Sequence, residues 1–146
     1  MAQPATHLFG TDLALRDVAG AADFTFQGVV GGSGDLALAI GNDNIVQALT
    51  MRLRVRVGEL APLGWADYGS RLHELIGEPD LARTRLKAQV FARDAVQADP
   101  RVEQVLSVDI VRIPGERQVL RLALLVQLFQ ASQPLNLVHD LALETT

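Results

Sequence analysis

Two stretches of the chain repeat apolar residues at helical spacing, and two later stretches are apolar almost without interruption. From Asn44 to about Val57, Ile45, Leu49, Leu53 and Val57 recur every fourth residue, with Val46 beside them. Residues four apart stack on one face of a helix, so this predicts a helix with one buried stripe. Asn42, Asp43 and Asn44 stand before it, with side-chain oxygens suited to the free N–H groups of a first turn. A stronger helix is predicted from Asp80, as its cap, to Ala98. Leu81, Ala88, Phe91, Ala92 and Ala95 share one face, with Arg83, Lys87 and Asp94 opposite. Leu86 and Val90 fall off that stripe, which suits either irregular core packing or contact with another chain. Between the helices, Arg71 to Ile76 predicts a short helical turn ended by Gly77 and Pro79.

After Pro100 the pattern changes. Val105 to Ile113 is rich in β-branched residues, Pro114-Gly115-Glu116 is a turn signal, and Val119 to Phe129 is nearly all apolar. The last of these has the character of a central strand covered on both faces, and the two runs pair as a hairpin. Leu135-Asn136-Leu137-Val138 predicts a short closing strand before a tail. At the other end, residues 1–34 read as an irregular arm. Within it Asp23-Phe24-Thr25-Phe26-Gln27 alternates like a short strand and Gly31-Gly32-Ser33-Gly34 marks a break. A strand-like run, Leu36 to Ile40, follows the glycines, where a phosphate cradle would need a helix to open. The predicted fold is α+β: two main helices packed on a small, mostly antiparallel sheet, forming one domain over residues 35–146.

Composition narrows the function classes. Only 5% of the residues are aromatic against 49% hydrophobic, so the core is aliphatic. A net charge of −4 is the wrong sign for the basic field that non-specific nucleic-acid binding needs. With no cysteine there is no disulfide, thiolate metal site or cysteine nucleophile. The longest apolar run carries Arg121 and Gln127 and is too short to span a bilayer as a helix. The first residues show no basic segment leading into an apolar one, so synthesis and folding in the cytoplasm are expected.

A search for chemistry yields little. His7, His73 and His139 are far apart, and none has a partner at helical ligand spacing, so no metal site and no cofactor are expected. Ser70 does not lie in a strained nucleophile elbow. Asp67, Glu74 and Glu78 form the one local carboxylate group, but Gly77 and Pro79 interrupt the helix that would align Glu74 with Glu78. No catalytic residue is assigned, and an enzyme is not expected. Arg52, Arg54 and Arg56 read as a solvated face, or as a contact to an acidic partner.

Two structural constellations remain. In Tyr68-Gly69-Ser70-Arg71, the tyrosine anchors a loop, the glycine permits a positive φ or a close backbone approach, and the serine caps the turn that follows. In Asp99-Pro100-Arg101, the proline stops the helix and the arginine supplies a permanent planar fork. That fork serves equally well as an internal brace or as an intermolecular clamp.

Taken together, Gly58-Glu59-Leu60, Trp65 to Leu72 and Asp99-Pro100-Arg101-Val102, followed by a β-rich end, resemble the contractile-tail baseplate wedge family. These are the sheath-initiator proteins of contractile phages, some labelled lysozyme-like, with relatives in bacterial injection systems. The corner in that family is typically Glu-Pro-Arg; here Asp99 keeps the charge and shortens the reach. The resemblance implies a structural baseplate subunit, in a sixfold ring, located in the virion tail or in a bacterial injection device. Its implied partners are baseplate wedge proteins, the tail sheath protein and hub or tube proteins, with no nucleic acid and no membrane. Asp99, Pro100 and Arg101 would form a docking corner, Tyr68, Gly69, Ser70 and Arg71 a loop at the interface, and Leu135, Asn136, Leu137 and Val138 a sheath-facing strand. The rival expectations are a muramidase-like cell-wall hydrolase and a generic cytoplasmic adaptor.

Overall fold

The computed structural model describes residues 10–18, 21–24, 26–27, 35–36 and 38–144. Two compact units divide the chain, one ending at Ala48 and the other starting at Leu49, within a helix.

In the N-terminal unit there are three short antiparallel pairs, with four strands in the residues read as an irregular arm and two at residues 35–40, around the strand-like run after the glycines. β1 (Thr11–Leu13) pairs with β6 (Leu38–Ile40), β2 (Leu15–Val18) with β3 (Ala21–Phe24), and β4 (Phe26–Gln27) with β5 (Asp35–Leu36). The alternation at residues 23–27 thus belongs to two strands of different pairs. The glycine-rich break at Gly31–Gly34 lies outside the described residues. Gln47 fixes the step from β1 to β2, accepting the Leu15 N–H at 2.8 Å and donating to the Leu13 carbonyl at 2.8 Å.

Helix α1 (Asn42–Arg54) crosses the division between the units. Ile45, Leu49 and Leu53 are fully buried, as their spacing predicts. Val57, the expected fourth member of the stripe, is 38% exposed, because the helix stops at Arg54. The Val55 N–H still closes on the Met51 carbonyl, but the Val55 carbonyl takes the Ser70 N–H and the Val57 N–H donates to the Ser70 carbonyl, so the helical ladder ends there.

The C-terminal unit carries 3₁₀ turns at Ala61–Leu63 and Leu72–Leu75, then α2 (Ala82–Gln97), β7 (Val102–Arg112), β8 (Val119–Leu128) and β9 (Leu135–Ala142). The strands form an antiparallel sheet in the order β7-β8-β9. The fold is α+β, as expected. On α2, Ala88, Ala92, Ala95 and Val96 are buried, and the small side chains let the helix lie close along β7. Leu81 is exposed, not buried, because it sits at the N-cap in extended conformation. Asp80 does not cap the helix; its carboxylate takes the Arg85 Nε at 2.6 Å, an ion pair that outcompetes the helix N–H groups for it.

Two features of the sheet correct the sequence reading. β8 is central, but it buries only one face: Leu120, Leu122, Leu124, Val126 and Leu128 are covered, while Val119, Arg121, Ala123, Leu125 and Gln127 are partly exposed. The closing strand is also twice as long as its apolar signal. His139 and Asp140 break that signal, yet Asp140 pairs with Arg121 across the open face at 2.8 Å and the ladder runs on to Ala142. Leu137, Leu141 and Leu143 are buried, and the Leu143 carbonyl is tied to the Gly77 N–H at 2.6 Å. The end of the chain up to Leu143 is therefore core rather than a tail. Among the described residues, no helix is long and apolar enough to cross a membrane.

Candidate functional site

The corner after α2 is organised by one carboxylate. Pro100 ends the helix and turns the chain, with the Val102 N–H returning to the Asp99 carbonyl at 3.0 Å. Asp99 is 2% exposed. Its Oδ1 accepts the Arg101 backbone N–H at 2.9 Å, a turn that the short aspartate side chain forms two residues on. Oδ1 also accepts Arg101 Nε at 3.0 Å, and Oδ2 accepts Arg101 Nη2 at 2.9 Å, so the guanidinium fork closes on its own corner. Oδ2 takes a further bond from Arg52 Nε at 3.2 Å. Arg101 thus braces its own corner through these donor atoms.

Burial alone would push the Asp99 carboxyl up. The bonds from Arg101 and Arg52 more than offset it, holding the group below the usual carboxylate range. A carboxylate depressed in the folded state contributes stability above its unfolded pKa of about 4 and loses that contribution as the pH falls through the folded value. Urea midpoints should therefore drop on acidification below about pH 4. Asp99→Asn should show a shallower drop, whereas identical slopes would mean the corner is not titrating.

Arg52 joins the two sequence motifs. Its guanidinium lies over the Tyr68 ring, 4.6 Å from the centroid, while its Nε holds Asp99. Such stacking favours a cation over an aromatic face. Burial pushes the Tyr68 hydroxyl up, with Arg52 opposing. Sequence reasoning placed Arg52 on a solvated face with Arg54 and Arg56. The available signal was its place in the last turn of α1, off the buried stripe, where a long side chain can reach past the helix end.

Gly69 and Ser70 lock that helix end. Ser70 Oγ donates to the Leu53 carbonyl at 2.7 Å, and the Ser70 N–H to the Val55 carbonyl at 2.8 Å, satisfying acceptors that the last turn leaves open. Ser70 Oγ also receives the Leu72 N–H in a long contact of 3.4 Å, while the N-cap of the following turn is Arg71, which makes no side-chain capping bond. Gly69 has φ +112°, and a Cβ there would lie 2.5 Å from the Val55 oxygen. Arg71 points elsewhere: it forms a two-point pair with Glu74, at 3.0 and 2.9 Å, and covers the Phe91 ring at 4.5 Å.

Beside Arg52 and Tyr68 opens a recess of about 500 Å³, lined also by Gly64, Trp65, Ala66, Asp67 and Ala98. Trp65 is 61% exposed and stands 6.2 Å from Tyr68, ring to ring. The closing-strand residues lie on β9: Leu137 is buried, Leu135 half-buried, and Asn136 and Val138 exposed. Of the carboxylates considered for hydrolysis, Glu74 is held low by its bond from Arg71, the reverse of what a general acid needs. Glu78 contacts Lys87 at 3.2 Å. Among the described residues, no three His, Asp or Glu side chains gather as a metal site.

A fold of two helices and a three-stranded antiparallel sheet defines a small α+β protein. A solved structure shares that fold. A chain from Geobacter sulfurreducens described as a putative tail lysozyme is similar to this one with a TM-score of 0.60 and 19% identity, over 71% of this chain and 92% of that one. No family model matches the sequence, and no curated protein matches it. This finding overturns the expectation that the chain is not an enzyme, because the protein whose fold it shares carries an enzyme's name.

Proposed function

We propose that this chain is a baseplate subunit of a contractile tail or a related injection device, and that it links the inner wedge to the first sheath ring. The observation that carries the reading is β9: an eight-residue edge strand whose neighbour on one side is β8 and which no strand covers on the other among the described residues. An exposed edge of that length presents a row of backbone donors and acceptors that another extended chain can pair with. In this reading the sheath protein supplies that chain. The wedge docks at the recess, where Trp65 is an exposed aromatic anchor and the Asp99–Arg101 brace holds Arg52 and Tyr68 beneath it. Hub or tube proteins are further neighbours, and the sixfold ring sets the copy number.

Deleting Leu135 to Thr146 would not test this, since it removes Leu137, Leu141 and Leu143 from the core. Trp65→Ala is the cleaner probe, because the side chain is mostly in solvent. It should leave the melting temperature within about 2 °C, as surface substitutions do, yet weaken co-purification with wedge proteins by tenfold or more, as loss of an aromatic hot spot of about 2 kcal/mol does. Undiminished capture would remove the recess from the interface.

The name of the structural neighbour favours a second reading, a muramidase-like hydrolase. Peptidoglycan release by the purified chain, compared with Glu74→Gln and Glu78→Gln, tests it. Activity lost in either variant supports hydrolysis; no release from the intact chain rejects it.

A further inference from the structure

The sheet of the C-terminal unit has two outer strands, and they are treated differently. Along β7 from Glu103 to Val108, four backbone groups on the side away from β8 are taken by side chains of α2. The Val105 N–H donates to Gln97 Oε1 at 3.0 Å, and the Val105 carbonyl accepts Arg93 Nη1 at 3.1 Å. Gln97 Nε2 donates to the Glu103 carbonyl at 3.2 Å, and Gln89 Nε2 to the Val108 carbonyl at 2.8 Å. Gln89, Arg93 and Gln97 are four residues apart, so one line of the helix runs beside the strand. A register shift between Val105 and Ser107 adds the extra residue that brings Val108 into the same edge-facing phase as Val105. Beyond Val108 only a short stretch to Arg112 precedes the turn, too short for a stable ladder.

Among the described residues, no side chain bonds the outer backbone of β9 in this way. The bond from the Leu143 N–H to the Gln118 carbonyl sets the phase of its pairing with β8. The even-numbered residues Asn136, Val138, Asp140 and Ala142 therefore direct their N–H and C=O groups to the outer edge. Their side chains are exposed, and Val138 is 56% exposed.

We infer that Gln89, Arg93 and Gln97 are an edge guard: they close β7 so that the sheet accepts an added strand at β9 alone, and any strand-added assembly grows from this chain in one direction. The identity of the added strand, an extended segment of another protein, rests on the function proposed above; the guard itself does not. One adhesive edge can join at most two copies of this chain, in a closed pair. Two adhesive edges would allow head-to-tail pairing, which does not close and yields open chains.

Sedimentation velocity of the full chain over a concentration series tests this. The Gln89→Ala, Arg93→Ala, Gln97→Ala triple variant should form species larger than a dimer that grow with concentration, while the unmodified chain does not. Adding Val138→Pro, which removes an outward N–H of β9, should stop that growth. A folded triple variant with unchanged mass overturns the guard. Since three substitutions can unfold the chain, Gln97→Ala alone provides a second reading. The Val105 amide should exchange at least about fivefold faster, as loss of one hydrogen bond of about 1 kcal/mol implies, with Leu122 unaffected. An unchanged Val105 rate overturns the proposal whatever the triple variant does. If both results hold and sheath protein still fails to bind β9, the guard stands and the strand-addition reading falls.

Discussion

Asp99→Ala is expected to destabilise the C-terminal unit by about 3 kcal/mol, the lower end of the cost of breaking a buried ion pair. The substitution removes the acceptor of four hydrogen bonds at once. It leaves two guanidiniums facing each other with no carboxylate between them. Arg101 is 34% exposed and can rehydrate, which keeps the cost from rising further. For a unit of this size, about 3 kcal/mol lowers the melting temperature by roughly 10–20 °C. Arg101→Ala should cost less, about 1–2 kcal/mol, because Asp99 keeps Arg52 and the residue-101 backbone N–H. A double-mutant cycle between Asp99→Ala and Arg101→Ala, followed by thermal melts, measures the coupling. Equal losses for the two single variants would mean that Arg52 contributes nothing to the corner. The same comparison separates brace from docking surface: Arg101→Ala should weaken wedge capture in chain that is still folded at the assay temperature.

Gly69→Ala should be equally damaging for a different reason. At φ +112° a side chain is strained wherever it stands, and here the Cβ would also meet the Val55 oxygen at 2.5 Å and the Arg56 carbonyl carbon at 2.9 Å. Both are backbone atoms, and Val55 is held by the Ser70 N–H, so neither can move without releasing the end of α1. A cost of about 3 kcal/mol or more follows from adding a clash to a strained backbone. Gly64→Ala and Gly77→Ala are the controls. Both glycines have positive φ, but a Cβ at either meets nothing within 4 Å, so only the conformational cost of about 1 kcal/mol remains. Urea unfolding of the three variants checks the order. A Gly69→Ala chain as stable as the controls would mean that Gly69 and Ser70 do not set the helix end.

The parts of the fold that were legible in the sequence are those fixed by local pattern. The Ala88, Ala92 and Ala95 spacing gave α2, Pro100 gave its end, and the β-branched run with its turn gave β7 and β8. What failed depended on partners distant in sequence. Val57 continued the stripe of α1 on paper, but Ser70 captures the helix end before the pattern runs out. His139 and Asp140 hid the second half of β9, because an exposed cross-strand ion pair looks like a break in an apolar run. The strands at residues 11–27 are short and weakly patterned, so pairing rather than propensity defines them. At the site, the two motifs were legible separately. Their connection was not, because Arg52 carries no pattern of its own and acts only through the carboxylate and the ring that it meets.

Strand addition at β9 is tested most directly by electron microscopy of tails assembled with Val138→Pro. The proline removes one outward N–H and leaves the bonds to β8 in place, so the subunit should still fold and enter the baseplate. The expected result is complete baseplates that carry tubes without sheath. Sheaths of normal length on those baseplates would contradict the proposed role of the β9 edge.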